Sequence, residues 1–237
     1  MFYSLIEQQL PIQILQNFFL HKIIPNAILI SGIEGTGKKK AAITFAMLCN
    51  CQSHNFSESS TLNLIDMEPC GKCSSCKKIL SATHPDIHII EPVGKFIVIS
   101  QIRSMVSSLV QKPYEAKMRF IIIYDAHTMN VESANSLLKS LEEPPARTTI
   151  ILLSSKPSNL LPTILSRCRQ IKFNPISKQT ILDTLINTYH IDPEIANITA
   201  SMANGSLLMA LKFANADSGT KDWVGMRNRL LTELTNL

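Results

Sequence analysis

The fold of this 237-residue chain follows from the stretch Ile30-Ser31-Gly32-Ile33-Glu34-Gly35-Thr36-Gly37-Lys38-Lys39. An apolar run, Ala27–Ile30, precedes the glycines, and a run with helical character, Ala41–Leu48, follows them. A strand, a glycine-rich turn and a helix in this order form a phosphate-binding loop, or P-loop. Backbone N–H groups of the turn and the N-terminus of the helix can both bind a phosphate.

The loop matches the pattern G-x-x-x-x-G-K-[ST] at every fixed position except the last. The predicted nucleotide-binding residues are Gly32, Gly35, Gly37 and Lys38. Lys39 occupies the position where the pattern has a hydroxyl that binds Mg²⁺. The sequence therefore predicts a degenerate phosphate site, and the loop alone leaves open whether the chain is a motor.

Along the rest of the chain, apolar runs alternate with segments in which apolar residues have helical spacing. Strands are predicted at Ala27–Ser31, Ile87–Glu91, Arg119–Tyr124, Thr148–Leu153 and Gln170–Phe173, and helices between them at Lys38–Asn50, Ile99–Gln111 and Val131–Leu141. This alternation predicts an α/β fold with a mostly parallel sheet covered by helices on both sides. Asp125 ends the third strand, where a nucleotidase holds Mg²⁺ or activates water; the alternative is a surface aspartate that caps the next element.

Asn174-Pro175 marks a predicted boundary between two domains, 1–173 and 174–237. Beyond it the sequence shows only helix signals. Helices are expected after Ser177, after Asp192-Pro193, at Leu207–Ala214 and at Lys221–Leu234. The second domain is therefore predicted to be small and all-helical.

Three of the six cysteines form the run Cys70-x-x-Cys73-x-x-Cys76, and Cys51 lies upstream of them. Four thiolates at such spacing are the ligands of a structural zinc ion, which leaves no open position for catalysis. We therefore predict a zinc knuckle over residues 51–76. Free or redox-active thiols are the alternative, and Cys49 is a rival fourth ligand that fits the helix core better.

The chain carries a net charge of +5, which is compatible with an acidic polymer as a partner and is weak evidence alone. No apolar run approaches the ~18–20 residues that span a bilayer, and the N-terminal residues do not form a signal-peptide pattern. Cysteines without a secretion signal indicate a reducing compartment. We expect no membrane partner and a cytoplasmic location.

These features together resemble the bacterial clamp-loader subunits of DNA polymerase III, which belong to the AAA+ class. The resemblance covers about Pro25 to Leu211. It rests on the degenerate P-loop, the cysteine insertion after the first helix, the stretch Asn135–Pro145 (NSLLKSLEEPP) and the stretch Ile164–Cys168 (ILSRC). The resemblance implies a helical lid domain after the sheet, and a complex that opens a ring-shaped sliding clamp and places it on primed DNA. Family members continue into an all-helical collar domain, which lies beyond the region of resemblance.

Three positions depart from the ATP-hydrolysing gamma/tau branch of this family. Lys39 replaces the Mg²⁺-binding hydroxyl, Tyr124-Asp125 replaces an Asp-Glu pair, and Leu208 replaces the lid arginine of the Gly-Ser-x-Arg segment. The pattern is similar to the delta-prime branch, a stator that does not itself hydrolyse ATP, within the DNA polymerase III holoenzyme, a nucleotidyltransferase complex. The implied partners are gamma/tau-type ATPases, a delta-type subunit, the sliding clamp and, through the complex, primed DNA.

The resemblance also implies a role for Arg167. In this family the arginine of Ser-Arg-Cys reaches into the ATP site of the neighbouring subunit, where a guanidinium can offset transition-state charge. The alternative is a structural arginine that pairs with a local carboxylate. Two other functions are alternatives to a stator subunit. One is a divergent gamma/tau-type ATPase that uses Lys38 and Asp125. The other is a zinc-dependent DNA-binding module whose basic residues would be Lys72, Lys77 and Lys78.

Overall fold

The computed structural model describes residues 1–53, 67–109 and 112–215. The chain forms two compact units. Among the described residues, the first unit contains those of Met1–Gly32 and Gly37–Phe173, and the second contains Ile33–Thr36 and the residues from Asn174 to Asn215. The middle of the P-loop therefore packs with the helical unit, although it lies within the sequence of the first.

The first unit is built on a five-stranded parallel sheet with the order β2-β3-β4-β1-β5. The strands are β1 Ala27–Ser31, β2 Ile87–Ile90, β3 Arg119–Ile123, β4 Thr148–Ser154 and β5 Arg169–Lys172. The helices of this unit are α1 Gln9–Leu20, α2 Lys38–Asn50, α3 Ser74–Leu80, α4 Ile99–Ser108, α5 Val131–Glu142 and α6 Pro162–Leu165. The α/β prediction is confirmed.

Every residue of β1, β3 and β4 is buried, and neighbouring residues of a strand pack into different hydrophobic clusters. Ile28 and Ile30 of β1 join a cluster with residues of α1, α2 and α3. Ala27 and Leu29 join a second cluster with residues of α4, α5 and α6. Successive side chains of a strand point to opposite faces, so a sheet covered on both faces requires continuously apolar strands. This requirement explains the uninterrupted apolar runs in the sequence.

The predicted elements agree with the structure, with differences only at their ends. The fourth strand extends one residue further, to Ser154, and the last strand is shifted by one residue, to Arg169–Lys172. The helix predicted over Ile99–Gln111 ends at Ser108, and residues 110 and 111 lie outside the described part of the chain. No described helix is long and apolar enough to cross a membrane.

The second unit contains α7 Lys178–Asn187, α8 Pro193–Met202 and α9 Leu207–Asn215. The Ser177 hydroxyl accepts a hydrogen bond from the N–H of Thr180 and caps α7. The Asp192 carboxylate caps α8, which has Pro193 at its first position. Both helices begin where the sequence predicts them, after Ser177 and after Asp192. The fourth predicted helix, Lys221–Leu234, lies outside the described residues.

A buried carboxylate, Asp86, holds the start of β2 to the segment before β3. Its oxygens accept hydrogen bonds of 2.7–2.8 Å from the backbone N–H groups of Tyr114, Glu115 and Ala116. The buried Arg119 lies 3.7 Å from the same carboxylate. Burial opposes ionisation of Asp86, but the three N–H donors and Arg119 outweigh it and lower its pKa below the ordinary 3.8.

We expect Asp86→Asn to lower the free energy of unfolding at pH 7 by about 2–4 kcal/mol, because an amide cannot accept all three hydrogen bonds and leaves Arg119 uncompensated. The folded pKa is depressed, so this stabilisation is present above about pH 4 and is lost as the pH falls through the folded value. Urea unfolding of both proteins between pH 3 and pH 7 checks the prediction. Asp183→Asn, which changes an exposed carboxylate of α7, is the control and should cost little at any pH. Equal stability of Asp86→Asn and wild type at pH 7 would contradict the assignment.

Candidate functional site

The P-loop leaves β1 in a backbone conformation that demands glycine. Gly32 has φ +146°, and a Cβ at this residue would lie 2.6 Å from the carbonyl oxygen of Phe173, which follows β5. Gly37, the residue before α2, has φ +93°. Side-chain-bearing residues rarely adopt these conformations. The glycines of the sequence motif therefore form the turn between β1 and α2, which begins at Lys38.

The ammonium group of Lys38, the P-loop lysine, is held by the loop itself. Its side chain is buried, and Nζ donates a hydrogen bond of 2.6 Å to the carbonyl oxygen of Gly32. In an ATP-binding loop this group contacts the outer phosphates. Here it satisfies a backbone carbonyl at the start of the loop.

Two of the positions that depart from the ATPase pattern contact each other. The Nζ of Lys39 lies 4.3 Å from the ring centroid of Tyr124, which is the geometry of a cation–π interaction. Burial raises the pKa of Tyr124 to about 12, so the phenol stays neutral. Where an ATPase places a hydroxyl and a carboxylate around Mg²⁺, this chain has a cation stacked on an aromatic ring.

Asp125 follows β3 in a left-handed backbone conformation, with φ +47°. It precedes a short 3₁₀ turn, Ala126–Thr128, and its carbonyl oxygen accepts a 2.8 Å hydrogen bond from the hydroxyl of Thr128. Burial, chiefly, lowers the pKa of the nearby His127, and the positive charges of Lys156 and Lys38 act in the same direction. Asp125 occupies the N-cap position of this turn and is partly buried, but its side chain makes no capping hydrogen bond to the turn.

In the helical unit, the third altered position packs against the P-loop. A Cβ at Gly35 would lie 2.5 Å from the hydroxyl oxygen of Ser206 and 2.7 Å from Cβ of Leu208. Glu34 and Lys212 form an exposed ion pair at 3.8 Å nearby. Leu208, the position at which the resemblance implies a lid arginine in the gamma/tau branch, thus lies beside Gly35.

Four cysteines come together beside α2 and α3. The sulfur atoms of Cys51, Cys70, Cys73 and Cys76 all lie within 4.8 Å of one another. A tetrahedral zinc site with Zn–S bonds of ~2.3 Å separates its sulfur atoms by ~3.8 Å, which this cluster can match. None of the four forms a disulfide, and the buried Cys49 is not part of the group. These four cysteines therefore fit a metal ion.

Hydrogen bonds favour the thiolate form of Cys70, whereas burial raises the pKa of Cys76. The N–H groups of Cys70, Cys73 and Cys76 point at the sulfur atoms of Cys51, Cys70 and Cys73, at 3.5, 3.3 and 3.5 Å. Hydrogen bonds, of which the one from Ser53 has the largest effect, lower the pKa of Cys70 to about 5. Such N–H···S contacts stabilise charged sulfur, which is the form that binds metals.

One contact of the cysteine insertion has no signal in the sequence. The carboxylate of Glu68, just before Cys70, accepts hydrogen bonds from the backbone N–H groups of Phe2 and Tyr3, at 2.9 and 2.6 Å. Phe2 is buried in the same core as the cysteines. The insertion therefore also anchors the N-terminal turn.

Arg167 lies between α6 and β5, at the amino end of the parallel strands. Its Nε donates a 2.6 Å hydrogen bond to Glu142, the last residue of α5, and Nη1 donates a 2.8 Å bond to the carbonyl oxygen of Thr163. Arg167 and Glu142 line an open cleft of about 510 Å³ that also includes Asn26 and Arg169. The local carboxylate pairing that the sequence allowed is thus present in this chain.

Strand register separates Arg167 from the P-loop. Arg169 of β5 is level with Ile28 of β1, and the P-loop begins after Ser31, which is level with Lys172. The interval from Ile28 to Gly32 is ~13 Å at about 3.3 Å per residue, and Arg167 precedes Arg169 by two more residues. Arg167 and the P-loop therefore lie at opposite edges of the sheet, farther apart than an arginine side chain reaches.

Comparison with known proteins agrees with this architecture. A family model described as DNA polymerase III, delta subunit, matches residues 7–177. The chain belongs to this family. The delta' subunit of DNA polymerase III from Bacillus subtilis is 35% identical over 181 residues, covering 76% of this chain and 51% of the relative. The corresponding subunit from Pseudomonas aeruginosa is 37% identical over 147 residues, covering 61% and 42%. The relatives support a clamp-loader subunit of the delta-prime type.

The tau subunit of Bacillus subtilis is 32% identical over 202 residues, covering 83% of this chain and 34% of the relative. The chain spans about half the length, or less, of these relatives. Among solved structures, a gamma-subunit-related protein of Thermotoga maritima matches with a TM-score of 0.55 at 21% identity, over 86% of this chain and 57% of that one. The RuvB branch-migration motor of the same organism matches with a TM-score of 0.55 at 12% identity, over 89% and 61%. These two structures show a shared AAA+ fold.

We expect Cys70→Ser to lower the affinity of the chain for a divalent metal by more than about 100-fold, because even partners beyond the ligands are worth 10–100-fold. Metal content after equilibrium dialysis, measured by mass spectrometry, checks this. Cys49→Ala, which alters a buried cysteine outside the group, is the matched control and should retain the metal. Equal metal content in Cys70→Ser and wild type would contradict the four-cysteine site.

Proposed function

We propose that this chain acts as the stator subunit of a bacterial DNA polymerase III clamp loader, in the cytoplasm, and has no ATPase activity of its own. Its partners in this proposal are gamma/tau-type ATPases, a delta-type subunit and a sliding clamp, with primed DNA bound by the whole complex. Residues 1–173 form the AAA+ domain and residues 174–237 belong to the lid. Family membership supports the proposal, and the geometry of Arg167 carries it.

Arg167 serves the nucleotide of a neighbouring subunit. It lies at the amino edge of the sheet, whereas the P-loop of its own chain lies at the carboxyl edge, ~13 Å or more away. Its side chain is 35% exposed beside an open cleft, so another molecule can approach it. A guanidinium offered to the γ-phosphate of an adjacent ATP stabilises charge that develops during phosphoryl transfer.

The chain's own phosphate site lacks the groups that phosphoryl transfer needs. Lys38 bonds to Gly32, Lys39 stacks on Tyr124, and Leu208 packs on Gly35. Hydrolysis depends on Mg²⁺ coordination and on cations placed around the phosphates, so the changes at Lys39, Tyr124-Asp125 and Leu208 favour a subunit that does not turn over ATP. The nucleotide-binding residues Gly32, Gly35, Gly37 and Lys38 then serve to build the fold.

The metal of the cysteine cluster is proposed to be Zn²⁺ in a structural role. Four thiolates are the ligand set of a closed tetrahedral zinc site, which adds to folding free energy and offers no position for a substrate. Cys51, Cys70, Cys73 and Cys76 would hold the ion. The contacts of Glu68 with Phe2 and Tyr3 indicate what the ion stabilises, namely the insertion and the N-terminal turn docked on it.

We expect Arg167→Ala to lower DNA-stimulated ATP turnover of a loader assembled with gamma-type subunits at least about 10-fold, since such an arginine is worth ~10³–10⁵ at the site it serves. Steady-state phosphate release with primed DNA and clamp is the measurement. Arg103→Ala, on the exposed face of α4, is the matched control and should hydrolyse ATP like wild type. Normal turnover with Arg167→Ala would refute the trans-acting role.

We expect the isolated chain to hydrolyse no ATP above background, and Lys38→Ala to leave turnover of the assembled loader unchanged within about twofold. The same phosphate-release measurement, with Mg²⁺ and primed DNA, checks both. DNA-stimulated hydrolysis by the chain alone that is lost in Lys38→Ala would instead identify a divergent gamma/tau-type ATPase. Tight, salt-sensitive DNA binding by the chain alone would favour a zinc-dependent DNA-binding module.

A further inference from the structure

Glu142 holds the guanidinium of Arg167 from one side. Its Oε1 accepts from Nε at 2.6 Å and lies 2.5 Å from Nη2, so the fork of the arginine faces this one carboxylate. The side chains are 35% and 48% exposed for Arg167 and Glu142. An exposed pair is worth little in free energy, so this contact alone orients the guanidinium only weakly.

The opposite side of the guanidinium is held by the turn that precedes Arg167. Nη1 donates to the carbonyl oxygen of Thr163 at 2.8 Å and to the hydroxyl of Ser166 at 3.4 Å. Two separate elements, α5 and the α6 turn, therefore bind the guanidinium. Hydrogen bonds on two sides of a planar group fix its orientation better than those on one side alone. A fixed orientation is the preorganisation that stabilisation of transition-state charge requires.

Glu142 stands where a helix does not favour an acid. It is the last residue of α5, and Pro144, two residues further, cannot continue the helix. A carboxylate at the negative end of the helix dipole is unfavourable, and a cation beside it relieves the repulsion. A local rule broken in this way is expected at functional sites. The adjacent Glu143 is also exposed, and the described structure gives its side chain no contact with Arg167.

We infer that Glu142 is a positioning residue, which aims Arg167 into the cleft toward the triphosphate of the neighbouring subunit. This inference rests on the proposed function, because it requires that Arg167 act on a neighbour's ATP. Glu142 orients the guanidinium before assembly. Catalysis then needs no reorganisation of the arginine when the subunits meet.

The test is a double-mutant cycle in the assembled loader, with Glu142→Gln, Arg167→Ala and the combined variant. Glutamine keeps the size of the side chain and removes its charge. We expect Glu142→Gln to lower the maximal rate of DNA-stimulated ATP turnover about threefold to fivefold, in keeping with the modest strength of exposed pairs. In the Arg167→Ala background, Glu142→Gln should not change ATP turnover, because the guanidinium that Glu142 orients is absent. Glu143→Gln is the matched control and should leave turnover and thermal unfolding unchanged.

Each outcome separates the inference from the function on which it rests. If Arg167→Ala lowers turnover but Glu142→Gln equals or exceeds wild type, the positioning role is wrong and the trans-acting arginine stands. If Glu142→Gln lowers turnover equally in both backgrounds, Glu142 acts independently of Arg167 and the inference also fails. If Arg167→Ala itself has normal turnover, the proposed function fails first. Thermal unfolding of each variant, expected to match wild type, excludes a general loss of structure.

Discussion

The parallel pairing of β1 with β5 is the constraint on which the rest of the first unit depends. It places the start of the P-loop beside the residue that follows β5, so closely that only glycine fits at Gly32 against Phe173. Because the two strands are parallel, their amino ends lie along one edge of the sheet and their carboxyl ends along the opposite edge. Because all strands run the same way, the edge that carries a phosphate loop cannot carry Arg167 as well.

The altered phosphate site is compensated within the chain itself. Lys39 and Tyr124 each replace a group that would face Mg²⁺, and they satisfy each other through a cation–π contact. Lys38 turns to the backbone of Gly32, and Leu208 fills the space beside Gly35. Polar or charged groups left unpaired at such a site would destabilise the fold. The replacements thus form a consistent set in which each altered side chain has a partner.

Much of this arrangement could be predicted from the sequence. Continuous apolar runs indicate the sheet, because strands buried on both faces need no alternation, and the spacing of Cys70, Cys73 and Cys76 indicates the cysteine cluster. The predicted ends of strands and helices differ from the observed ends by one to three residues, since these ends depend on hydrogen bonding to neighbouring segments. The pairing of Glu142 with Arg167 spans 25 residues, and that of Glu68 with Phe2 spans 66. Contacts between such distant residues leave no periodic pattern in the chain.

The sequence by itself determined the residue types available for chemistry: a degenerate phosphate loop, four cysteines and an arginine in a Ser-Arg-Cys motif. Those depend on local spacing, which the chain carries directly. Only the tertiary structure decided which of them meet, because strand order and register set the distances between edges. It placed Lys39 on Tyr124, brought Cys51 to the other three cysteines and put Arg167 at the opposite end of the strands from its own P-loop. The direction of that arginine, and the carboxylate that holds it, are properties of the folded sheet and helix together.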